Sequence, residues 1–324
     1  MSLPLVDLHC HIEGAAGPDF VRACARRNHV RLPDGMFRAD GAYACDDFLH
    51  FLRTYETACS AICTARDYAD LTFTVLTGAA AKGLIYGEMF ISSVHPAEAG
   101  IAYPDFVEAI AHGYQRAHAH SGVEARFILT AIRHLGPKRA ERTARLAHQY
   151  PHPLVTGFGM AGDENQGEPA DFARAFAIAR DASLQLTVHA GEVCGPHSVA
   201  AALDALRPAR IGHGVQAIED AALVARLADE GVTLEICPGS NIALGVYEAY
   251  AQSPLLRLRD AGVKVVLGSD DPPYFHTDIA NEYAQVQQAF ALPYAGMRAI
   301  SRTAIEAAFC DEETKARLLA QVEG

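Results

Sequence analysis

Basic residues are scarce: 27 Lys and Arg stand against 39 Asp and Glu, a formal net charge of −12. So acidic a chain is poorly suited to clamping a nucleic-acid backbone, which needs cationic side chains to displace counterions. No stretch approaches the roughly 18 uninterrupted apolar residues of a membrane-spanning helix. The opening Met1-Ser2-Leu3-Pro4-Leu5-Val6-Asp7 has neither the basic start nor the apolar core of a secretion signal. A cytoplasmic protein is the expectation. The 8 cysteines include no CxxC pair, and without a secretion signal they read as free thiols. Cys59 and Cys63, one helical turn apart, are read as facing a neighbouring helix.

Of the 324 residues, 50 % are hydrophobic and 20 % charged, which excludes disorder and allows a sizeable core. A β-branched or apolar run, a polar turn and a helical stretch alternate along the chain. Eight strands are expected, at Leu3–Ile12, Ile85–Ser92, Ala125–Arg133, Val155–Ala161, Leu184–Ala190, Arg210–Gly214, Thr233–Cys237 and Val263–Ser269. Phe106, Ile110 and Tyr114 mark a helix behind Pro104 and Asp105. Ala221–Glu230 and Pro254–Ala261 read as helices that stop at Gly231 and Gly262. Eight such units outline a (β/α)₈ TIM barrel, read as a single domain over residues 1–324. The connection from strand one to strand two is several times longer than usual. It predicts a helical insertion over about residues 18–80, with helices near Pro18–Asn28 and Asp46–Cys63, of the kind that covers a catalytic face. A doubly wound open sheet is disfavoured, because no glycine-rich phosphate loop follows strand one.

Polar residues of interest gather at the strand ends. Strand one ends His9-Cys10-His11, and alternation sends both imidazoles to one face and Cys10 to the other. Strand five ends His189-Ala190-Gly191-Glu192, and strand six ends Gly212-His213-Gly214. Strand eight runs into Asp270-Asp271-Pro272, adjacent carboxylates that are costly to bury unless a cation or hydrogen bonds compensate. Singly, each has a bland explanation: a chance HxH pair, a turn histidine, a helix cap before proline. Together they put His9, His11, His189, His213, Asp270 and Glu192 at the barrel face where active sites lie. Three imidazoles and a carboxylate suit one Zn²⁺ per chain. Zinc acidifies water, which serves hydrolytic attack on an sp² carbon, and leaves Glu192 and His213 for proton transfer.

With His9 to Ala15, Met160-Ala161-Gly162-Asp163-Glu164, His189 to Glu192, Gly212-His213-Gly214 and Ser269-Asp270-Asp271-Pro272, the chain resembles the adenosine/adenine deaminase family of metal-dependent hydrolases. The motifs keep the family's order from residue 7 to residue 274. The resemblance implies zinc on His9, His11, His189 and Asp270. It implies catalysis by Glu192, which protonates purine N1; by His213, which orients or deprotonates water; and by Asp270, which contacts the water and the departing amine. It also implies substrate contacts from His11, Glu13, Gly162, Asp271, Phe48, Leu49 and Leu52. Among these, Asp271 would accept a hydrogen bond from N7, the Gly162 N–H would meet N3, and Phe48, Leu49 and Leu52 resemble an apolar gate.

Glu13 stands where adenosine deaminases carry Asp, and glutamate there is typical of the adenine branch. Gly162 resembles the adenosine branch instead, leaving room beside the N3/N9 edge. Glu88 matches the family, while Phe90 replaces the usual arginine. The expectation drawn from Gly162 is deamination of adenosine and 2′-deoxyadenosine to the inosines and ammonia. Adenine, or another N9-substituted adenine, is the alternative. The expected partner is a small purine nucleoside or base, without nucleic acid or membrane, and a homo-oligomer is left open. A binuclear site of the dihydroorotase kind is disfavoured because strand four ends without lysine. A cytidine-deaminase site fails because His11-Ile12-Glu13 has no PCxxC partner. A barrel kept only for binding would have lost ligands or Glu192, and none is lost.

Overall fold

The computed structural model describes residues 3–45 and 47–324. The strands are β1 (Leu5–His11), β2 (Leu84–Ser92), β3 (Glu124–Ile132), β4 (Val155–Ala161), β5 (Gln185–Ala190), β6 (Arg210–His213), β7 (Thr233–Ile236) and β8 (Lys264–Leu267). They pair in parallel in chain order β1 to β8, the arrangement expected of a TIM barrel. Residues from β1 to β8 are buried along nearly their whole length, which is why these segments read as apolar runs with few alternations. The last strand stops earlier than the expected Ser269, because the chain turns there and Asp270 takes a left-handed backbone at φ 61°.

Closure is local. Cys10 bridges Asp270, with the Asp270 N–H donating to the His9 carbonyl at 2.8 Å and the His11 N–H donating to the Asp270 carbonyl at 2.9 Å. The two backbone bonds that join the last strand's exit to the first strand therefore carry three of the predicted metal ligands.

Among the described residues, three helices fill the long first connection: Pro18–Arg27, Phe48–Ser60 and Ala65–Ala80. The second is shorter than expected. Asp47 caps it by accepting from the His50 N–H at 2.7 Å, it ends at Ser60, and Asp46 lies outside the described residues. Asp67 knots this region together, accepting from Arg27, from Asn28 Nδ2 at 2.7 Å, and from the N–H groups of Cys63 and Thr64. All 8 cysteines are free thiols, as expected. Among the described residues no helix is long and apolar enough to cross a membrane.

Helix Ala65–Ala80 packs closely on helix Tyr103–Ser121, where Phe106, Ile110 and Tyr114 are buried as their spacing predicts. Gly113 makes that approach possible: a Cβ there would lie 2.4 Å from the Ala69 carbonyl oxygen and 2.7 Å from Thr72 Cβ. Gly113→Ala should therefore destabilise the protein by about 1–3 kcal/mol through overpacking. Gly78→Ala has nothing within 4 Å of its added Cβ and should stabilise it slightly. Chemical denaturation of the two variants checks the contrast, and equal shifts would mean the helices do not meet as described.

Candidate active site

The four predicted ligands leave three strand ends, His9 and His11 from β1, His189 from β5 and Asp270 just after β8, and arrive at one point. His9 Nε2 and His189 Nε2 are 3.0 Å apart, and His11 Nε2 and His189 Nε2 are 3.3 Å apart. Asp270 Oδ1 stands 3.6 Å from His9 Nε2 and 3.4 Å from His11 Nε2. One donor atom from each of the four lies within 4.8 Å of all the others. Gly212 permits this crowding, since a Cβ there would come within 2.7 Å of His9 Cε1 and 3.2 Å of His189 Nδ1. Phe90, where the family usually has arginine, stacks on His11 and meets the edges of the His9 and His189 rings.

The donor set fits a divalent cation. Three ring nitrogens that face one another cannot all be satisfied by protons, because a proton placed between one pair leaves the third lone pair opposed. Burial depresses His189 far below the ordinary imidazole range and His11 to about 3, so both are neutral, as ligation requires. Burial opposes charge on His9 too, but the Asp270 and Glu235 carboxylates outweigh it and raise His9 to about 10. Positive charge is thus favoured where the four donors converge. Burial likewise opposes the Asp270 charge, yet the surrounding imidazoles hold this carboxylate well below its usual range. These residues form a buried His₃Asp metal site.

Beside the cluster stand a carboxyl and an imidazole with opposite shifts. Burial, then the charges of Asp270 and Glu164, push Glu192 well above the usual carboxylate range. Burial lowers His213 to about 4. His213 Nε2 is 3.6 Å from Glu192 Oε1 and 3.8 Å from Asp270 Oδ2, and neither ring nitrogen has a hydrogen-bond partner. His213 also has a left-handed backbone at φ 60°; with Asp270 it is one of two such strained residues beside the ligands. Asp271 occupies the N-cap position of helix Pro272–Phe275 but makes no capping bond, and its buried Oδ1 is unpartnered. The helix-cap explanation of Asp270-Asp271-Pro272 is therefore insufficient. Burial and the neighbouring Asp270 charge raise Asp271 well above the usual carboxylate range.

A cavity of about 570 Å³ opens over this cluster. His11, His189, Glu192, His213, Asp270, Asp271, Gly162, Phe48 and Leu52 line it as predicted. Two expected substrate contacts do not. Leu49 is 56 % exposed, because one helical step turns it away from the face shared by Phe48 and Leu52. Glu13 is buried behind the wall, its carboxylate accepting from the Ser92 N–H at 3.1 Å, and burial raises it to about 7. Tyr55 and Cys59 extend the Phe48/Leu52 face, a spacing readable from sequence but missed. Cys59 and Cys63 both line this cavity. His134, also missed, stands against Gly162: a Cβ at Gly162 would lie 2.9 Å from His134 Nδ1. The room read into that glycine is already bounded by an imidazole.

The family model described as "Adenosine deaminase" matches residues 4–324. An adenine deaminase of Rhizobium leguminosarum bv. trifolii is 50 % identical over 322 residues, covering 99 % of each chain. Another from Rhizobium etli is 51 % identical over 320 residues, again 99 % of each. The solved adenine deaminase from Arthrobacter aurescens superposes with a TM-score of 0.93 at 28 % identity, covering 99 % of this chain and 98 % of its own. These relatives overturn the expected adenosine preference; the Glu13 signal outweighs the one taken from Gly162.

Glu164 was quoted from sequence without a role. Its carboxylate accepts from the N–H groups of Gly191, Glu192, Val193 and Cys194 and from the Ser198 hydroxyl. It thereby holds the turn that aims Glu192 into the cavity. Glu164→Ala strands two buried N–H groups, those of Gly191 and Glu192. The loss should be about 1–3 kcal/mol for each, read by chemical denaturation. A change below about 0.5 kcal/mol, the level of an ordinary surface substitution, would show that the carboxylate holds nothing.

Proposed function

We propose that this chain, which belongs to the adenosine deaminase family, hydrolyses adenine to hypoxanthine and ammonia. Membership makes it a hydrolase of the C–N bond of a cyclic amidine. The choice of the free base is carried by full-length likeness, at 50 % and 51 % identity, to adenine deaminases. His134 against Gly162 supports it, since a sugar on N9 would need space on that flank.

In this reading His9, His11, His189 and Asp270 hold zinc. When bound, zinc supplies the Lewis acidity that makes water nucleophilic near neutral pH. Glu192, protonated in its buried setting, donates to N1 and withdraws electrons from C6. His213, neutral and with both nitrogens free, accepts a proton from the attacking water as oxygen bonds to C6. It then passes that proton to the amino group, which leaves as ammonia when the C6–N bond breaks. The C6 hydroxyl proton restores Glu192, so water is consumed and no other reactant is needed. The Asp271 carboxyl meets N7 of the purine. The Gly162 N–H faces N3, and Phe48, Leu52 and Tyr55 cover the ring.

Kinetic assays and metal analysis test this. Absorbance assays should give kcat/KM for adenine at least about tenfold above adenosine, equivalent to roughly 1.4 kcal/mol of transition-state binding. Faster turnover of any nucleoside would overturn the assignment. Glu192→Gln should keep its metal and lose about 10²–10⁴-fold in kcat. His9→Ala should lose the metal while Cys10→Ala retains it, and metal analysis of the unmodified chain should find one ion.

A further inference from the structure

Beneath the ligands, three charged side chains cross the barrel interior, and none carries out a step of the proposed reaction. Glu235 lies in the middle of β7, Arg210 at the start of β6 and Glu88 in β2; all three are buried, with 0 %, 1 % and 0 % exposure. Glu235 Oε2 meets His9 Nδ1 at 2.7 Å. Glu235 Oε1 accepts from Arg210 Nε and from the Thr187 hydroxyl. Arg210 Nη2 donates to Glu88 Oε2 at 2.6 Å, and Nη1 donates to the Ala307 carbonyl at 3.0 Å. The guanidinium lies 3.4 Å from the centre of the Phe309 ring. Glu88 Oε1 accepts from the Tyr86 hydroxyl and the Phe309 N–H.

We infer that Glu235 is the positioning residue that sets the tautomer and ring orientation of His9 for metal binding, and that the Glu235–Arg210–Glu88 chain supplies part of the charge that neutralises the cation. It rests on the metal site of the proposed function. The tautomer follows from the donor inventory. Every other partner of Glu235 is a donor, so its carboxylate accepts throughout and His9 Nδ1 must carry the hydrogen. The lone pair is then on Nε2, the atom that faces His11, His189 and Asp270.

The charge follows from counting. Asp270 is the one carboxylate among the four ligands, so a divalent ion there retains a positive charge in a low-dielectric interior. Two carboxylates against one guanidinium leave the chain under His9 with a net negative charge of one. A buried triad is a costly arrangement when it serves stability alone, since apolar replacements often fold as well or better. Its position, hydrogen-bonded to a ligand at one end, gives it a use that packing does not.

Glu235→Gln is nearly isosteric and separates positioning from packing. Arg210 Nε claims the amide oxygen, so the amide NH₂ is turned toward His9 Nδ1. That forces the hydrogen onto Nε2 and blocks ligation. Zinc affinity, measured by competition with a chromophoric chelator, should fall about 10–100-fold. The visible absorption of the cobalt-substituted protein should weaken or shift, a signature that a merely structural residue would leave unchanged. Glu88→Gln leaves the Glu235–His9 hydrogen bond in place but removes a charge, and should weaken zinc by a smaller factor with the cobalt spectrum retained. It also keeps the proposal testable should Glu235→Gln fail to fold. Wild-type zinc affinity and cobalt spectrum in folded Glu235→Gln would overturn the positioning role, and wild-type affinity in Glu88→Gln would overturn the charge role. Failure of the unmodified chain to bind zinc would instead bring down the proposed function, and this inference with it.

Discussion

Two backbone hydrogen bonds, exchanged by Asp270 with His9 and His11, close the barrel between its last and first strands. The same residues provide three of the four converging donor atoms. Ring closure and the geometry of the metal site are therefore one constraint. Slipping β1 by a single residue would turn Cys10 inward and both imidazoles outward, because side chains alternate along a strand. The site cannot form without the closed barrel, and the closing register is unambiguous only where those side chains meet.

Burial makes the second constraint. Many ionisable groups share a dry interior, and each has a state set by its neighbours rather than by its chemical type. The imidazoles around Asp270 hold it well below the usual carboxylate range, while burial and nearby negative charge push Glu192 well above it. His213 is neutral for the same reason of burial. A neutral acid beside a neutral base, next to a place that favours a cation, is the pairing that acid–base hydrolysis needs. Glu164 and Glu235 act one layer further out, by holding the turn that bears Glu192 and by meeting the ring of His9.

Much of this was legible in the sequence because it is periodic or local. Eight apolar runs mark the strands, the His, Glu or Asp residues at the ends of four of them mark the catalytic face, and the spacing of His9 and His11 follows from alternation alone. Glu235 and Arg210 were less visible: a charge inside an apolar strand signals a buried partner, but nothing along the chain says which one. The expected boundaries at β8 and at the second inserted helix ran long, since both ends depend on local backbone turns and caps.

The amino-acid order by itself determined the barrel, the ligand set and the class of chemistry, because strand alternation and strand-end position are properties of a chain read in one dimension. Only the tertiary structure decided the shape of the cavity. Glu13 bonds the Ser92 N–H outside the cavity lining, and His134 stands against Gly162, because these relations join separate segments of the chain. A substrate pocket is the space left between such segments, and no local pattern measures that space.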